Sequence, residues 1–320
     1  MNLLVTGGAG FIGSNFIHYL LHQYPEYQII NYDKLTYAGN LKNLATIQET
    51  KNYSFIKGDI TNKELLEYVV ESYNIDTIVN FAAESHVDRS IKNSSEFVNT
   101  NILGTQTLLD VARSNNLRFI QISTDEVYGT LGATGYFTEQ TPLSPNSPYS
   151  ASKASADMLV RSYHETFALN TNITRCSNNY GPYQFPEKLI PLMIINALKG
   201  NPLPVYGDGK NIRDWLHVKD HCSAIDLVIH KGKPGEVYNI GGNNERRNIE
   251  IVEHILDLLK VPKNLITYVQ DRLGHDFRYA IDSSKIQNEL GWKPEYSFDD
   301  GIKETILWYR GHEEWWKKLL

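Results

Sequence analysis

The chain has 320 residues, 41% of them hydrophobic and 21% charged, with a formal net charge of −6. That length predicts one large α/β unit or two domains, and the apolar share excludes a mostly disordered chain, because it offsets the entropy of ordering. The acidic balance argues against a broad nucleic-acid or anionic-membrane surface, and two cysteines, Cys176 and Cys222, exclude a disulfide scaffold and a Cys-rich zinc module.

Leu3-Leu4-Val5 predicts a buried strand, and 11–24 predicts a helix. Strands are predicted at 28–32 and 53–57, and a helix at 62–73 with Leu65, Leu66, Val69 and Val70 on one side. A strand at 76–82 is followed by one long helix at 94–115, a strand at 118–123 and a helix at 150–168. Short apolar strands separated by helices predict βαβ units and a parallel sheet covered on both faces. Right-handed crossovers then make it a doubly wound α/β fold. After Ser177 the texture changes, with Pro and Gly clustered between Gly181 and Gly209. This predicts a nucleotide-binding domain over 1–178, with a return segment near 213–242, and a smaller substrate-binding domain over 179–320. No apolar run approaches the roughly 20 residues that span a bilayer. Met1-Asn2-Leu3 has no basic leader, so a cytoplasmic enzyme is expected.

Gly7, Gly10 and Gly13 follow the first strand and open the first helix in a GxxGxxG spacing. Gly7 permits the turn, Gly10 lets backbone approach a pyrophosphate, and Gly13 lets helix and strand pack closely. The helix N-terminus adds unpaired N–H groups and a positive dipole. A Walker A loop is excluded, since Ser14 stands where the lysine is needed. Asp33 ends the second strand 20 residues after Gly13, where a carboxylate bonds ribose hydroxyls and repels a 2′-phosphate. NAD is therefore expected rather than NADP. Asp59, after the third strand, is either an adenine contact or a turn cap.

Tyr149 and Lys153 stand four apart on one helical face. A nearby ammonium and a cationic nicotinamide are expected to lower the pKa of the phenol, which then takes a proton from an alcohol as hydride leaves its carbon. Lys153 also suits the nicotinamide ribose, and Thr124 a substrate hydroxyl. With the glycine turn, these residues resemble the extended short-chain dehydrogenase/reductase family over nearly the whole chain. Asn80-Phe81-Ala82-Ala83, Tyr180-Gly181-Pro182, Arg213-Asp214-Trp215-Leu216-His217-Val218 and Tyr238-Asn239-Ile240-Gly241 carry the likeness. The resemblance implies an NAD-binding Rossmann fold. It places Phe11, Ile12, Lys34, Leu35, Thr36, Asp59, Ile60, Phe81, Ala82, Ala83, Ser85, Thr100 and Asn179 beside the cofactor, with the glycines, Asp33, Tyr149 and Lys153.

Thr124-Asp125-Glu126-Val127-Tyr128-Gly129 leaves the carboxyl end of a strand, where open α/β sheets place ligands. Adjacent acids there face different atoms of one substrate. The stretch resembles the branch of that family that dehydrates sugar nucleotides, whereas the family's 4-epimerases usually carry small residues at those two positions. Glu84-Ser85-His86-Val87-Asp88-Arg89-Ser90, Asn178 to Gln184, Pro186 to Pro191 and Asp271 to Asp276 match the same branch. Leu273 and Phe277 depart from its pattern. The resemblance implies oxidation at C4 of the sugar, elimination of water across C5 and C6 by Asp125 and Glu126, and hydride return to C6. Which acid is proton donor and which is base is carried by the resemblance alone. It implies dTDP-glucose or a similar sugar nucleotide as substrate, held by Ser85, Thr124, Asn178, Lys188, Leu189, Pro204, Tyr206, Arg213, Asn248, Asp271, Arg272 and His275. Arg213, Lys188 and Arg272 are the diphosphate candidates. It also implies a homodimer, through helices near 99–113 and 151–167. A 4-epimerase and an NAD-sensing binding protein are the competing expectations. His217 and His221 stand four apart without further ligands, so no metal site is expected.

Overall fold

In the computed structural model, which describes residues 1–320, Leu3, Leu4 and Val5 have no exposed surface. The reason is that β1 (Asn2–Thr6) runs through the middle of a seven-stranded sheet. Around it lie β2 (Gln28–Asp33), β3 (Tyr53–Lys57), β4 (Thr77–Asn80), β5 (Arg118–Thr124) and β6 (Thr171–Cys176). The chain then leaves the sheet for β7 (Asn178–Tyr180), β8 (Leu203–Tyr206) and β9 (Ile212–His217). It returns to the sheet's edge as β10 (Val237–Ile240) before β11 (Glu245–Arg247) and β12 (Ile266–Val269).

The sheet order is β10-β6-β5-β4-β1-β2-β3, with every pairing parallel. Val5 is flanked by Asn31 on one side and Val79 on the other. The order reverses between β1 and β4, which opens the crevice where such sheets bind ligands. Alternate residues of β1 serve opposite layers. Leu4 packs with Ile30, Ile78, Leu108, Phe119 and Val160 on one face. Leu3 and Val5 pack with Phe16, Ile17, Ile120 and Ile225 on the other. This is why the strands read as continuous apolar runs.

The segment 94–115 differs from its expected form as one regular helix. A short α-turn (Ser95–Phe97) passes into a π-helix (Val98–Gly104) and then an α-helix (Thr105–Ser114). The wider turn sets Asn101 in the interior, where its amide donates to Glu84 O at 3.0 Å and Ser152 Oγ at 2.8 Å. Its Oδ1 accepts from Glu84 N at 2.9 Å. Such bulges recur near functional sites, and here the bonds reach across to strand-end and helix neighbours that no local period reveals.

The C-terminal lobe joins β11-β9-β7 and the pair β12-β8 to helices Leu189–Lys199, Asn248–Leu259 and Phe298–Gly311. Its own core contains Ile194, Ile251, Ile302 and Trp316. Helix Val218–Lys231 goes back to the first layer, with Val218, Cys222 and Ile225 packed beside Phe16 and Ile17. The lobe therefore overhangs the carboxyl ends of β1, β4 and β5.

Candidate active site

One cavity runs from the glycine turn, past the ends of β4 and β5, to the start of the lobe. Gly7 has φ +66°, and a Cβ on it would lie 2.6 Å from Ala82 N. A Cβ on Gly13 would lie 2.5 Å from Gly7 O, whereas one on Gly10 would meet nothing nearer than that oxygen at 3.3 Å. The helix Phe11–Gln23 begins without a capping side chain and without an acid in its first turn. Its unpaired N–H groups and dipole thus face the cavity uncompensated, which suits an anionic pyrophosphate.

Asp33 is 8% exposed and burial raises its pKa, while Ala9 N at 2.9 Å and Leu35 N at 2.7 Å donate to its two oxygens and oppose the rise. Each oxygen keeps a lone pair for a ribose hydroxyl. Asp59 lines the cavity, accepts from Thr61 N at 3.0 Å and pairs with Lys34 at 2.8 Å. It is a turn cap and a wall residue at once. The residues present therefore fit a dinucleotide with free ribose hydroxyls. All the residues expected around the cofactor line this cavity except Leu35. The Leu35 backbone, at φ +58°, turns the chain, and its N–H serves Asp33.

The Ser147-Pro148-Tyr149-Ser150 sequence starts the helix Pro148–Phe167 with a reciprocal cap. Ser147 Oγ accepts from Ser150 N and Ser150 Oγ from Ser147 N, both at 3.0 Å, and Pro148 occupies the first turn. This fixes Tyr149 and Lys153, both buried, one turn apart against the end of β5. Lys153 Nζ donates to Ile122 O at 2.7 Å. Burial drives the pKa of the Tyr149 phenol well upward, the Glu126 charge adds to this, and a hydrogen bond with Thr124 opposes it. In the chain by itself burial outweighs the groups that favour the phenolate. A phenolate needs a further positive charge in the cavity.

β5 ends at Thr124, and a 3₁₀ turn (Asp125–Tyr128) follows, with Thr124 Oγ1 accepting from Glu126 N at 3.3 Å. Asp125 is 2% exposed, and its Oδ2 has no hydrogen-bond partner. Burial, then the charges of Glu126 and Asp214, push its pKa well above the usual carboxylate range. Burial raises Glu126 too, but Arg213, Lys188 and Arg272 all pull it back. Carboxylate charges outweigh the opposing Arg213 at Asp125, whereas three cations outweigh the Asp276 charge at Glu126. Asp125 is the acid whose neutral form is favoured more strongly, and the cations around Glu126 favour its charged form.

Thr124, Asp125, Glu126, Ser85, Asn178 and Lys188 share the cavity with the cofactor residues. The other substrate candidates do not line it. Leu189 packs on the lobe core, Pro204 pairs along β8 with Thr267, and Asn248 opens a helix with its N–H on Asn211 O at 3.0 Å. Arg213, Tyr206, Asp271, Arg272 and His275 form a cluster beyond Glu126. Arg272 clasps Asp88 at 2.6 and 3.0 Å, His275 Nδ1 lies 2.6 Å from Asp271 Oδ1, and Tyr206 meets the His275 ring edge-on. Arg213 donates to Ile212 O at 2.7 Å and Asp276 O at 2.9 Å.

Several wall residues were not singled out from sequence: Tyr37, Glu84, Gln184, Phe185 and Glu187 line the cavity. Most stood inside recognisable stretches, yet none carried a chemical pattern of its own. Cys176 also lines it; burial pushes its thiol up to about 12, so it is a neutral wall group. His221 is buried with Nδ1 2.9 Å from Asn179 Oδ1, behind the cavity wall.

A parallel doubly wound sheet with a glycine turn, a helix-borne tyrosine and lysine, and an acid pair at the end of its fifth strand defines a class. The chain belongs to the sugar-nucleotide 4,6-dehydratases of the extended short-chain dehydrogenase/reductase family: a family model described as GDP-mannose 4,6 dehydratase matches residues 4–305. Among relatives, the dTDP-glucose 4,6-dehydratase of Xanthomonas campestris pv. campestris (strain B100) is 52% identical, over 99% of this chain and 95% of its own length. The crystal structure of dTDP-glucose 4,6-dehydratase from Bacillus anthracis str. Ames in complex with NAD is 59% identical, with TM-score 0.95 and 100% of each chain covered. DesIV, the dTDP-glucose 4,6-dehydratase of Streptomyces venezuelae, crystallised with NAD and a second ligand, is 50% identical with TM-score 0.97, again covering 100% of each chain.

Proposed function

We propose that the protein is an NAD-dependent hydro-lyase that converts dTDP-glucose to dTDP-4-keto-6-deoxyglucose. The observation that carries this reading is the split environment of Asp125 and Glu126, beside Tyr149 in one cavity. NAD, when bound in the glycine-turn cleft, accepts hydride from C4 of the sugar and later returns it to C6. Tyr149, bonded to Thr124, takes the O4 proton. The C4 ketone makes the C5 hydrogen acidic, and Glu126 removes it. Asp125 gives its proton to the C6 hydroxyl, which leaves as water. Glu126 then returns its proton to C5. Tyr149 has gained one proton and Asp125 has lost one, so transfer of a single proton between them restores the starting state. The cationic cluster of Arg213, Arg272 and Lys188 suits the diphosphate and opposes the rise that burial gives Glu126.

Incubation with dTDP-glucose should yield a product absorbing in the alkaline 4-keto-sugar band. Appearance of dTDP-galactose without that product would reverse the choice in favour of an epimerase. Two further features belong to the same proposal. The protein works as a homodimer through the helices that expose Leu103, Met158 and Phe167. It acts in the cytoplasm, where its two free, buried cysteines stay reduced.

A further inference from the structure

Asp157 lies one helical turn beyond Lys153 on the helix Pro148–Phe167, with 1% of its surface exposed. Its Oδ2 accepts from Arg175 Nε at 2.9 Å, while its Oδ1 has no hydrogen-bond partner. Burying an ion pair is costly, and leaving a carboxylate oxygen unpaired costs more, so stability alone does not recommend this arrangement. Arg175 stands on β6 in register with Ser123 of β5, the residue before Thr124. A second guanidinium nitrogen donates to Tyr128 Oη at 2.9 Å, and the Tyr128 hydroxyl donates to Asn239 Oδ1 at 2.8 Å. Tyr128 closes the 3₁₀ turn that carries Asp125 and Glu126. A buried chain of bonds therefore runs from the Tyr149–Lys153 helix, through Asp157 and Arg175, to the turn of the two acids. None of Asp157, Arg175 and Tyr128 lines the cavity.

We infer that Asp157, Arg175 and Tyr128 are positioning residues of the reaction: Asp157 is the counter-charge of Lys153, and the Arg175–Tyr128 link keeps the two reacting halves in register. This rests on the dehydratase reading above. The groups that act on Lys153 are Asp157 on its own helix, Cys176 on β6 and the Ile122 carbonyl on β5, with Arg175 of β6 paired to Asp157. Burial favours the neutral amine, and the Asp157 charge opposes that first among these groups. Asp157→Asn removes the opposing charge and leaves the Arg175 charge in place. Lys153 then loses its proton at lower pH, together with its grip on the nicotinamide ribose.

The test uses the full-length protein in three forms. For Asp157→Asn, NAD affinity of the stripped protein, measured by calorimetry across pH, should fall about tenfold between neutral and alkaline pH where the unaltered protein holds steady. Asp125 does not enter that measurement. Asp157→Glu should restore the flat profile. Tyr128→Phe keeps both charges and removes one hydroxyl. Its NAD profile should stay flat, while elimination slows about tenfold relative to C4 oxidation, read as NADH absorbance that builds up in stopped flow. An Asp157→Asn profile that parallels the unaltered protein overturns the counter-charge role. Equal slowing of both steps in Tyr128→Phe, or none, overturns the register role, and decides the matter alone if Asp157→Asn does not fold. Failure of the unaltered protein to form any 4-keto sugar would instead sink the dehydratase reading.

Discussion

Replacing Gly13 with alanine tests how the first turn serves both the fold and the cofactor. The added methyl would stand 2.5 Å from Gly7 O and 2.8 Å from Gly8 Cα. Both neighbours are backbone, so no flexible side-chain tip can move aside. Restoring ordinary contact requires the start of helix Phe11–Gln23 to retreat by about 1 Å, an overpacking that costs about 1–3 kcal/mol. The same retreat withdraws the helix N–H groups from the pyrophosphate. At tenfold per 1.4 kcal/mol, NAD affinity should fall roughly 10- to 100-fold, and the melting temperature of the NAD-free protein should fall as well. Gly10→Ala separates the two effects. Its methyl has Gly7 O at 3.3 Å as nearest neighbour, a contact that a small shift absorbs. The NAD-free protein should melt unchanged, yet bind NAD about as poorly as Gly13→Ala, because the methyl occupies the pyrophosphate's approach. Calorimetry on NAD-stripped protein with a thermal melt reads both quantities. Unchanged melting and affinity in Gly13→Ala would refute the packing argument, and full affinity in Gly10→Ala would refute the placement of the pyrophosphate.

Glu126→Gln should leave C4 oxidation intact and slow product formation by roughly 10²- to 10⁴-fold. Loss of deuterium wash-in at C5 is the direct readout, and an unaltered overall rate would remove Glu126 from the base role. Burial raises the pKa of Glu126 while Arg213, Lys188 and Arg272 restrain the rise, and the base must be ionised, so kcat/KM should fall as pH drops through that raised value. Lys188→Met removes one restraint, which raises the value further and moves the acid limb to higher pH; a limb that stays or moves down contradicts the assignment. Met158 is 59% exposed on the outer face of its helix, and Met158→Lys would place charge within the proposed dimer contact. Sedimentation should then show a monomer with unchanged melting, whereas a monomeric unaltered protein would discard the dimer.

The sheet was legible because its signals are local. Strands covered on both faces must be continuously apolar, as Leu3-Leu4-Val5 and Ile78-Val79 are, and the glycine turn needs three residues within one helical turn or two. Tyr149 and Lys153 were legible for the same reason, since four residues make one turn. The lobe was hard to read: β7 and β11 have three residues each, are rich in Asn, Arg and Glu, and pair across long loops, so no period betrays them. Leu35 and the π-helix at Val98–Gly104 were also invisible, because their conformations answer to Asp33 and to Glu84 and Ser152, contacts the local pattern does not encode.

The division of labour between Asp125 and Glu126 shows why that boundary falls where it does. Adjacent residues of nearly identical chemistry cannot be told apart by composition, period or spacing. What separates them, within the 3₁₀ turn at the end of β5, is the set of charges around each. The charge of Asp214 on β9 raises Asp125 against the pull of Arg213, and Arg213 on the same strand, with Lys188 and Arg272 at two other points of the lobe, opposes the rise of Glu126. Arg213 and Asp214 are themselves adjacent on that strand: the Arg213 charge acts on both acids, and the Asp214 charge raises Asp125. Two such pairs, meeting at the seam between sheet and lobe, give neighbouring acids different electrostatic surroundings. That contrast does not exist until β9 docks beside β7, and for that reason the electrostatics of this site is a property of the assembled fold rather than of the acid pair alone.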